Sequence, residues 1–539
     1  MGKPSVKLVA ASYTPDGAFP VKSCQHKSTS DHDRASYFKS AQWSADGTCL
    51  FTLSSANRIC SYLLPSDLLE PHPQPVSLVP QGTLVLGDAT NCFTPSPYFT
   101  LEHPSTHTIL TASNDHPIHL HHAFPQPPDS AGSSSYPFPY DESPVATQPP
   151  PLASYRLIKH ETEAYLPLTS LIWPSPGSHF ICGTTNRIAL FDATHPTPIL
   201  EIPTIPSTRH IMKGGGVGMR GTVSALSQQP QSQDSTSTGV VAAGTWTRNL
   251  GLYDLHRAGS CVATWSLTQH TDTTVPGNNT STTTAADGDG IGGKGVVQTA
   301  WSPCGRYLVV NERGSHGLLV YDLRGTNRLL ATLTGRDADT NQRLSVDVFP
   351  GAESVGGFEV WAGTKHGGVV VYEGVGNTEG VVGPSWGWDT NEKRSGSAVG
   401  STVMHLSGSV VATVSGSWKI ADSSDDDTDS SDEGTDDDSD SETNGSEEEE
   451  NTSDQEDDSE GEGGSDEDDS SSHSDSGPEM TTSKSERHER PNNGGYQSKV
   501  VMEGTSLRVW SIGSSNTAPI ENDEREPDNE WHGELLTGL

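Results

Sequence analysis

Eight side chains in this sequence place hydrogen-bonding forks or charges at turn positions: Arg187, Arg248, Asn249, Arg313, Asn341, Gln342, Arg343 and Lys365. Guanidinium and amide groups grip phosphates and base edges, and single-stranded loops of nucleic acid expose both. Arg187, Arg248 with Asn249, Arg313 and Lys365 each lie in a short turn ahead of an apolar strand pattern, and Asn341-Gln342-Arg343 lies just ahead of another. Equivalent turns of a repeated unit fall near a common face, so these residues together would make a mildly basic rim. Taken singly, Asn and Arg at such positions also satisfy turn backbone groups.

Other chemistries fit less well. Lys213 to Gly221, KGGGVGMRG, has glycines in the spacing of a dinucleotide-binding turn, but that turn must open a helix and here a strand pattern follows. Gly288 to Gly295, GDGIGGKG, approaches a phosphate-binding loop, yet Gly295 stands where a Ser or Thr is needed to hold magnesium. His116, His119, His121 and His122 are dense enough to suggest a metal, but strand alternation sends His122 to the face opposite His119 and His121. No Ser, His and acid set stands at a nucleophile turn. The expectations are no catalytic residues, no metal and no cofactor.

The elements that must carry the basic turns are short strands in a recurring order. In Gly295 to Gly325, Val296 to Trp301 is a first strand, Ser302-Pro303-Cys304-Gly305 a turn, Tyr307 to Val310 a second strand, and Leu318 to Tyr321 a third ending in Tyr321-Asp322. Related units run over Phe38 to Leu64, Tyr98 to Phe124, Tyr155 to Ala193, Gly221 to Leu255 and Thr340 to Glu373. A seventh begins at Val403, is interrupted after Val414 and resumes at Ser506 to Trp510. A unit in this strand order, closing on an aromatic and an Asp as Gly295 to Gly325 does, reads as one blade of a WD-repeat propeller. Seven incomplete sheets bury one another only when arranged radially, and the separate strand pattern from Val6 to Tyr13 can complete the outer edge of the last.

Composition explains why 539 residues do not mean several domains. The hydrophobic fraction is 31%, below the ~45 to 50% of ordinary globular chains, and polar insertions dilute the folded part. Of the 70 acidic residues, 28 lie in residues 421 to 480 with no Lys or Arg, so a net charge of −38 becomes −10 once that tract is set aside. Such a run repels itself and buries nothing apolar. The seven cysteines are scattered, with no C-x-x-C pair, which points to a reducing compartment. No signal-peptide core and no apolar run of membrane length is present, so the expectation is a soluble intracellular protein.

Several motifs are more specific than any propeller turn. Asn114-Asp115-His116-Pro117-Ile118-His119, Cys182-Gly183 with Asn186-Arg187, Arg248 to Tyr253 and above all Thr340-Asn341-Gln342-Arg343 resemble the telomerase Cajal body protein family of WD-repeat proteins. The resemblance covers roughly residues 37 to 420 and resumes at the closing strand; a low-complexity insertion in the last blade is similar too. The chain departs from the pattern in its very short N-terminal region and in His121-His122, where Trp-Asp would be usual.

The resulting expectation is an all-β chain, a single seven-bladed WD-repeat β-propeller with disordered insertions. Residues 1–36 would hold an N-terminal segment with the closing strand, and 37–420 blades 1 to 6 with the start of blade 7. Residues 421–498 would be a disordered acidic insertion, 499–513 the closing strand of blade 7 and 514–539 a tail. The resemblance implies a non-catalytic scaffold that binds and escorts small nuclear RNAs of the small Cajal body or telomerase type. It would be nuclear, in Cajal bodies or nucleoplasm, with the cytoplasm as a further location. Its partners would be small nuclear RNA, ribonucleoprotein components and basic proteins at the acidic insertion; no membrane is involved, and the scaffold would be monomeric. The alternative is a protein-interaction propeller in splicing or chromatin assembly without direct RNA contact. Many serines of the tract precede Asp or Glu, as in Ser423-Ser424-Asp425-Asp426, and each phosphate would add roughly −1.5 to −2 charges. Deleting residues 421–498 is expected to strip basic proteins such as histones from a pull-down; an identical partner set would remove this role.

Overall fold

The computed structural model describes residues 3–13, 36–125, 150–159, 161–206, 218–230, 239–267, 291–325, 327–352, 354–390, 397–420 and 500–513. The described residues up to 419 and from 500 onward form one compact unit; the second unit, Ile420–Lys499, lies outside the described residues except for Ile420. The expected insertion at 421–498, the tail at 514–539 and Lys213 to Val217 of the glycine-rich run therefore fall outside the described residues.

Seven antiparallel sheets follow one another along the chain, five of four strands and two with a fifth strand added in parallel at the outer edge. Among the described residues the remaining regular elements are two single turns of 3-10 helix, Pro104–Thr106 and Leu255–Arg257. The innermost strands are Phe38–Trp43, Thr90–Pro95, Ser170–Ile172, Val223–Gln228, Val296–Trp301, Val346–Pro350 and Val399–Met404. Each packs beside the next and the last packs beside the first, so the seven sheets close into a ring. This is a seven-bladed β-propeller. The core lies between blades: Leu250 and Trp265 of blade 4 pack with Val296, Leu308 and Tyr321 of blade 5, all buried.

The strand Ser5–Tyr13 pairs antiparallel with Val500–Gly513, Leu8 opposite Trp510, and so lies in the same sheet as the seventh inner strand. Chain segments about 500 residues apart thus share one blade, with Ala10, Leu507 and Val509 fully buried between them. Ring closure comes from this pairing.

Three boundaries differ from the sequence expectation; the inner strand of blade 7 begins at Val399, four residues ahead of Val403. Blade 2 begins at Thr90, eight residues ahead of the Tyr98 read as its start, and Tyr155 belongs to Ala153–Tyr155, the outer strand of blade 2 beyond a long insertion, rather than to blade 3. The physical cause is weak patterning: Thr90–Pro95 is polar at half of its positions and ends in Pro, and Ala153–Tyr155 is three residues long. The outer strands generally carried little signal, as in the half-exposed Gly82–Val85.

The recurring aromatic-acid ending has a structural reason. Phe191, Tyr253 and Tyr321 are buried to 1% exposure or less, while the acid that follows turns the chain: Asp192, Asp254 and Asp322 each accept the backbone N–H two residues on, at 2.8, 3.0 and 3.1 Å.

Each blade junction is also joined by a side chain of an inner strand, or of the residue beside it, bonded to the backbone next door. Gln42 Nε2 donates to Phe93 O at 2.9 Å, Asn91 Nδ2 to Leu168 O at 2.8 Å, Ser170 Oγ to Val223 O at 2.7 Å and Trp301 Nε1 to Ser227 O at 3.2 Å. Gln298 Nε2 donates to Val346 O at 2.7 Å, Asp347 Oδ2 accepts from Met404 N at 2.7 Å, and Trp43 Nε1 donates to Val403 O at 3.1 Å.

One further anchor holds the loop into blade 6. Arg336 is 1% exposed and donates to Gly363 O at 2.9 Å, Asn311 Oδ1 at 2.9 Å and Leu344 O at 3.1 Å, all neutral acceptors. Burial lowers its pKa to about 10. Replacing it with Met orphans the Gly363 carbonyl and one Asn311 acceptor, which cost about 1 to 3 kcal/mol each. Arg336→Met is therefore expected to lower stability by about 2 kcal/mol or more in urea unfolding; an unchanged midpoint would mean that the bonds only offset the desolvation of the charge.

Candidate functional site: the channel mouth

Inner strands run from one face of the ring to the other, and the turns between second and third strands return to the face where inner strands begin. The backbone shows this directly: Ser55 N bonds Tyr37 O, Asn114 N bonds Ala89 O, Trp246 N bonds Thr222 O and Arg313 N bonds Gly295 O. The basic turns do share one face. Its centre is a channel of about 500 Å³ lined by every inner strand, opening into a hollow of about 420 Å³ that shares Asn91, Thr169, Arg313 and Arg343 with it.

Four of the eight candidate residues line this channel: Arg313, Asn341, Gln342 and Arg343. The loop that carries three of them is shaped by the Thr340 Oγ1 bond from Gln342 N at 3.2 Å and by the Arg336 anchor at Leu344. Gln342 Nε2 is used to tie the loop to Gly416 O at 2.9 Å. Arg343 Nη2 donates to Val297 O at 2.6 Å, which aims the guanidinium across the mouth. Arg343 is exposed to the water of the channel yet ringed by protein, and burial followed by the nearby Arg313 charge holds its pKa below the usual value, with Cys92 opposing. Arg313 makes no side-chain hydrogen bond or ion pair among the described residues.

The other four are placed on the same face but are occupied or directed elsewhere. Arg248 forks onto Glu312 at 2.7 and 3.1 Å, where the carboxylate side chain is 2% exposed and burial raises its pKa against the pull of Arg248. Such a pair is structural, because losing one partner strands a buried charge. Arg187 is paired with Glu201 of the outer strand, Lys365 with Asp337 at 2.9 Å, and the Asn249 amide with Thr247 O and Oγ1 at 3.2 and 3.0 Å.

Sequence reasoning missed Trp246, Lys39, Asn91 and Asn114. Trp246 is 51% exposed at the tip of the turn before Arg248 and lines the hollow beside Arg313 and Arg343. A large aromatic at the tip of a polar turn was the signal available. Gly295, at φ +146°, allows its neighbour to sit there: a Cβ on it would lie 2.6 Å from Trp246 O. Asn91 Nδ2 donates to Asn114 Oδ1 at 2.8 Å, joining two amides at the same mouth. Lys39, on the first inner strand, lines the channel with one long bond to Thr90 O at 3.4 Å, and burial lowers its pKa.

Among the described residues no group of three or more His, Cys, Asp or Glu side chains is placed to hold a metal ion, His116, His119, His121 and His122 included. His116 pairs with Asp88 at 2.6 Å, while burial and then His119 push His121 down to about 4.

Ring, inner-strand stitches and channel define a seven-bladed propeller of the WD-repeat class. No family profile matches the chain. The chain is similar to telomerase Cajal body protein 1 of Rattus norvegicus, 24% identical over 321 residues, which are 59% of this chain and 48% of that protein. The human protein of the same name is 24% identical over 341 residues, 62% of this chain and 50% of that one. Guanine nucleotide-binding protein negative regulator 1 of Schizosaccharomyces pombe is 23% identical over 316 residues, 58% and 65% of the two chains. The chain spans about half the length of the telomerase Cajal body proteins it matches, and its resemblance to that family stands on these comparisons as well as on the motifs.

The channel also has an acid end. Asp347 lines it, accepts the N–H groups of Val348 at 2.8 Å and Met404 at 2.7 Å, and is pushed by burial from 3.8 up to about 6. A carboxyl whose folded pKa is raised takes up a proton on folding between those values, so its share of stability falls as pH rises from about 4 to 6. With channel water screening the charge, the share is about 1 to 2 kcal/mol. Asp347→Asn is expected to flatten that part of the pH profile of the urea midpoint; an unaltered profile would assign it to other carboxyls.

Proposed function

We propose that the protein is a non-catalytic nuclear scaffold that holds a single-stranded loop of small nuclear RNA at the channel mouth and escorts it in ribonucleoprotein biogenesis. The observation that carries this reading is the composition of the mouth. Arg313 and Arg343 lie close enough for one charge to depress the other, beside the exposed Trp246, and the hollow they share has no carboxylate in its lining. Cations without acid partners attract phosphates, and an exposed aromatic takes a splayed base by stacking. The relatives named for telomerase and the Cajal body support the RNA class and the nuclear location.

A second reading is a protein-interaction propeller without RNA contact, favoured by the S. pombe relative, whose name ties it to a guanine nucleotide-binding protein. Crosslinking of purified chain to co-purifying RNA separates the two. Arg313→Ala, Arg343→Ala and Trp246→Ala, each checked for folding, are expected to weaken crosslinking by about fivefold to a hundredfold, the scale of one charge-assisted contact or one stacked base. The arginine variants are expected to reduce the salt slope by about 0.7 per phosphate contact, and the Trp246 variant to leave it unchanged. Wild-type crosslinking in all three would overturn the mouth as the RNA site.

A further inference from the structure

Three cations from separate parts of the ring line the same channel: Lys39 on the inner strand of blade 1, Arg313 in a turn of blade 5 and Arg343 in the loop entering blade 6. None has a carboxylate partner among the described residues, whereas Arg187, Arg248 and Lys365 on the same face are each ion-paired. Lys39 retains donors beyond its long bond to Thr90 O, Arg343 retains donors beyond Val297 O, and Arg313 retains all of its own. The carboxylate of the lining, Asp347, stands on the inner strand Val346–Pro350, past the loop that carries Arg343. Its two oxygens are taken by the backbone N–H groups of Val348 and Met404, and it makes no ion pair with any of the three cations.

The volume of about 500 Å³ falls in the range of small-molecule sites, about 300 to 1,000 Å³. An internal phosphodiester carries a single charge and brings chain in both directions, so a strand reaching these cations would have to enter and leave one narrow tube. A terminal phosphate enters alone and carries about −1.5 to −2 charges. Low-dielectric walls focus the field of the three cations on it.

We infer that the upper channel is a binding site for a phosphomonoester dianion, held between Lys39, Arg313 and Arg343. The group comes either from the 5′ end of an RNA or from a small free phosphate compound. This goes beyond the loop-binding reading, which uses Trp246 with the same two arginines at the outer hollow and needs neither Lys39 nor a terminal phosphate.

Calorimetry of the full chain with inorganic pyrophosphate is expected to show saturable one-to-one binding. Lys39→Ala and Arg313→Ala, folded by circular dichroism and thermal melting, are expected to weaken it about tenfold or more. Arg324→Ala is expected to leave it unchanged, since Arg324 follows the far end of its blade's third strand and pairs with Asp322 at 2.7 Å. Lys39→Gln guards against a packing effect of the alanine. In parallel, a short RNA with a 5′-phosphate is compared with the same RNA bearing a 5′-hydroxyl. Preference for the phosphorylated RNA, lost in Lys39→Ala, identifies an RNA end as the source; equal RNA affinities alongside pyrophosphate binding identify a small free phosphate. Absence of saturable pyrophosphate binding, or binding unaffected by both alanine variants, overturns the site. Because loop crosslinking is read separately through Trp246, either reading can fail while the other stands.

Discussion

An inner strand of a propeller blade has a sheet neighbour on one side only, and its other edge borders the central channel with peptide groups that need partners. Everything else in this structure depends on satisfying that edge. The answer is the same at all seven junctions: a side chain reaches across and bonds the backbone next door, as Gln42 does to Phe93 and Gln298 to Val346. The chain uses amides, hydroxyls, indoles and one carboxylate for the same task. The ring is thereby rigid at its centre, where the strands converge, and the final junction depends on Ser5–Tyr13 meeting Val500–Gly513 across the whole length of the chain.

That rigidity gives the channel mouth its chemistry. Side chains from blades 1, 2, 4, 5 and 6 meet there although they are hundreds of residues apart, and the positions they occupy are set by strands that do not adapt one at a time. The distribution of charge is the consequence. Arg187, Arg248 and Lys365 of this face are ion-paired with a neighbour in their own or an adjoining blade, whereas Lys39, Arg313 and Arg343, which converge on the channel, are not. In a chain with a net charge of −38, an acid-free cationic mouth concentrates anions at one place.

The blades were legible because the third strands of blades 3, 4 and 5 end on a buried aromatic followed by an acid that turns the chain, and the strand–turn–strand order around them recurs in the others. Thr90–Pro95 and Ala153–Tyr155 were misplaced because they carry few apolar residues, and their strand character comes from neighbours that pair with them. The rim was legible in part. Arg313, Asn341, Gln342 and Arg343 line the channel, but Arg248 looked equivalent until the buried Glu312 was found beside it, and no local pattern could have paired residues 64 positions apart. Trp246 had a usable signal, an aromatic at a turn tip; Lys39 had none, because a lysine on a strand is ordinarily a solvated one.

The sequence by itself determined the blade count, the all-strand architecture, the family resemblance and the face on which the basic turns lie. These follow from periodicity and turn chemistry, which act over a few residues. Only the tertiary structure decided which cations on that face are neutralised and which are left facing the channel. Ion pairing depends on distances between blades, and those distances exist once the ring has closed.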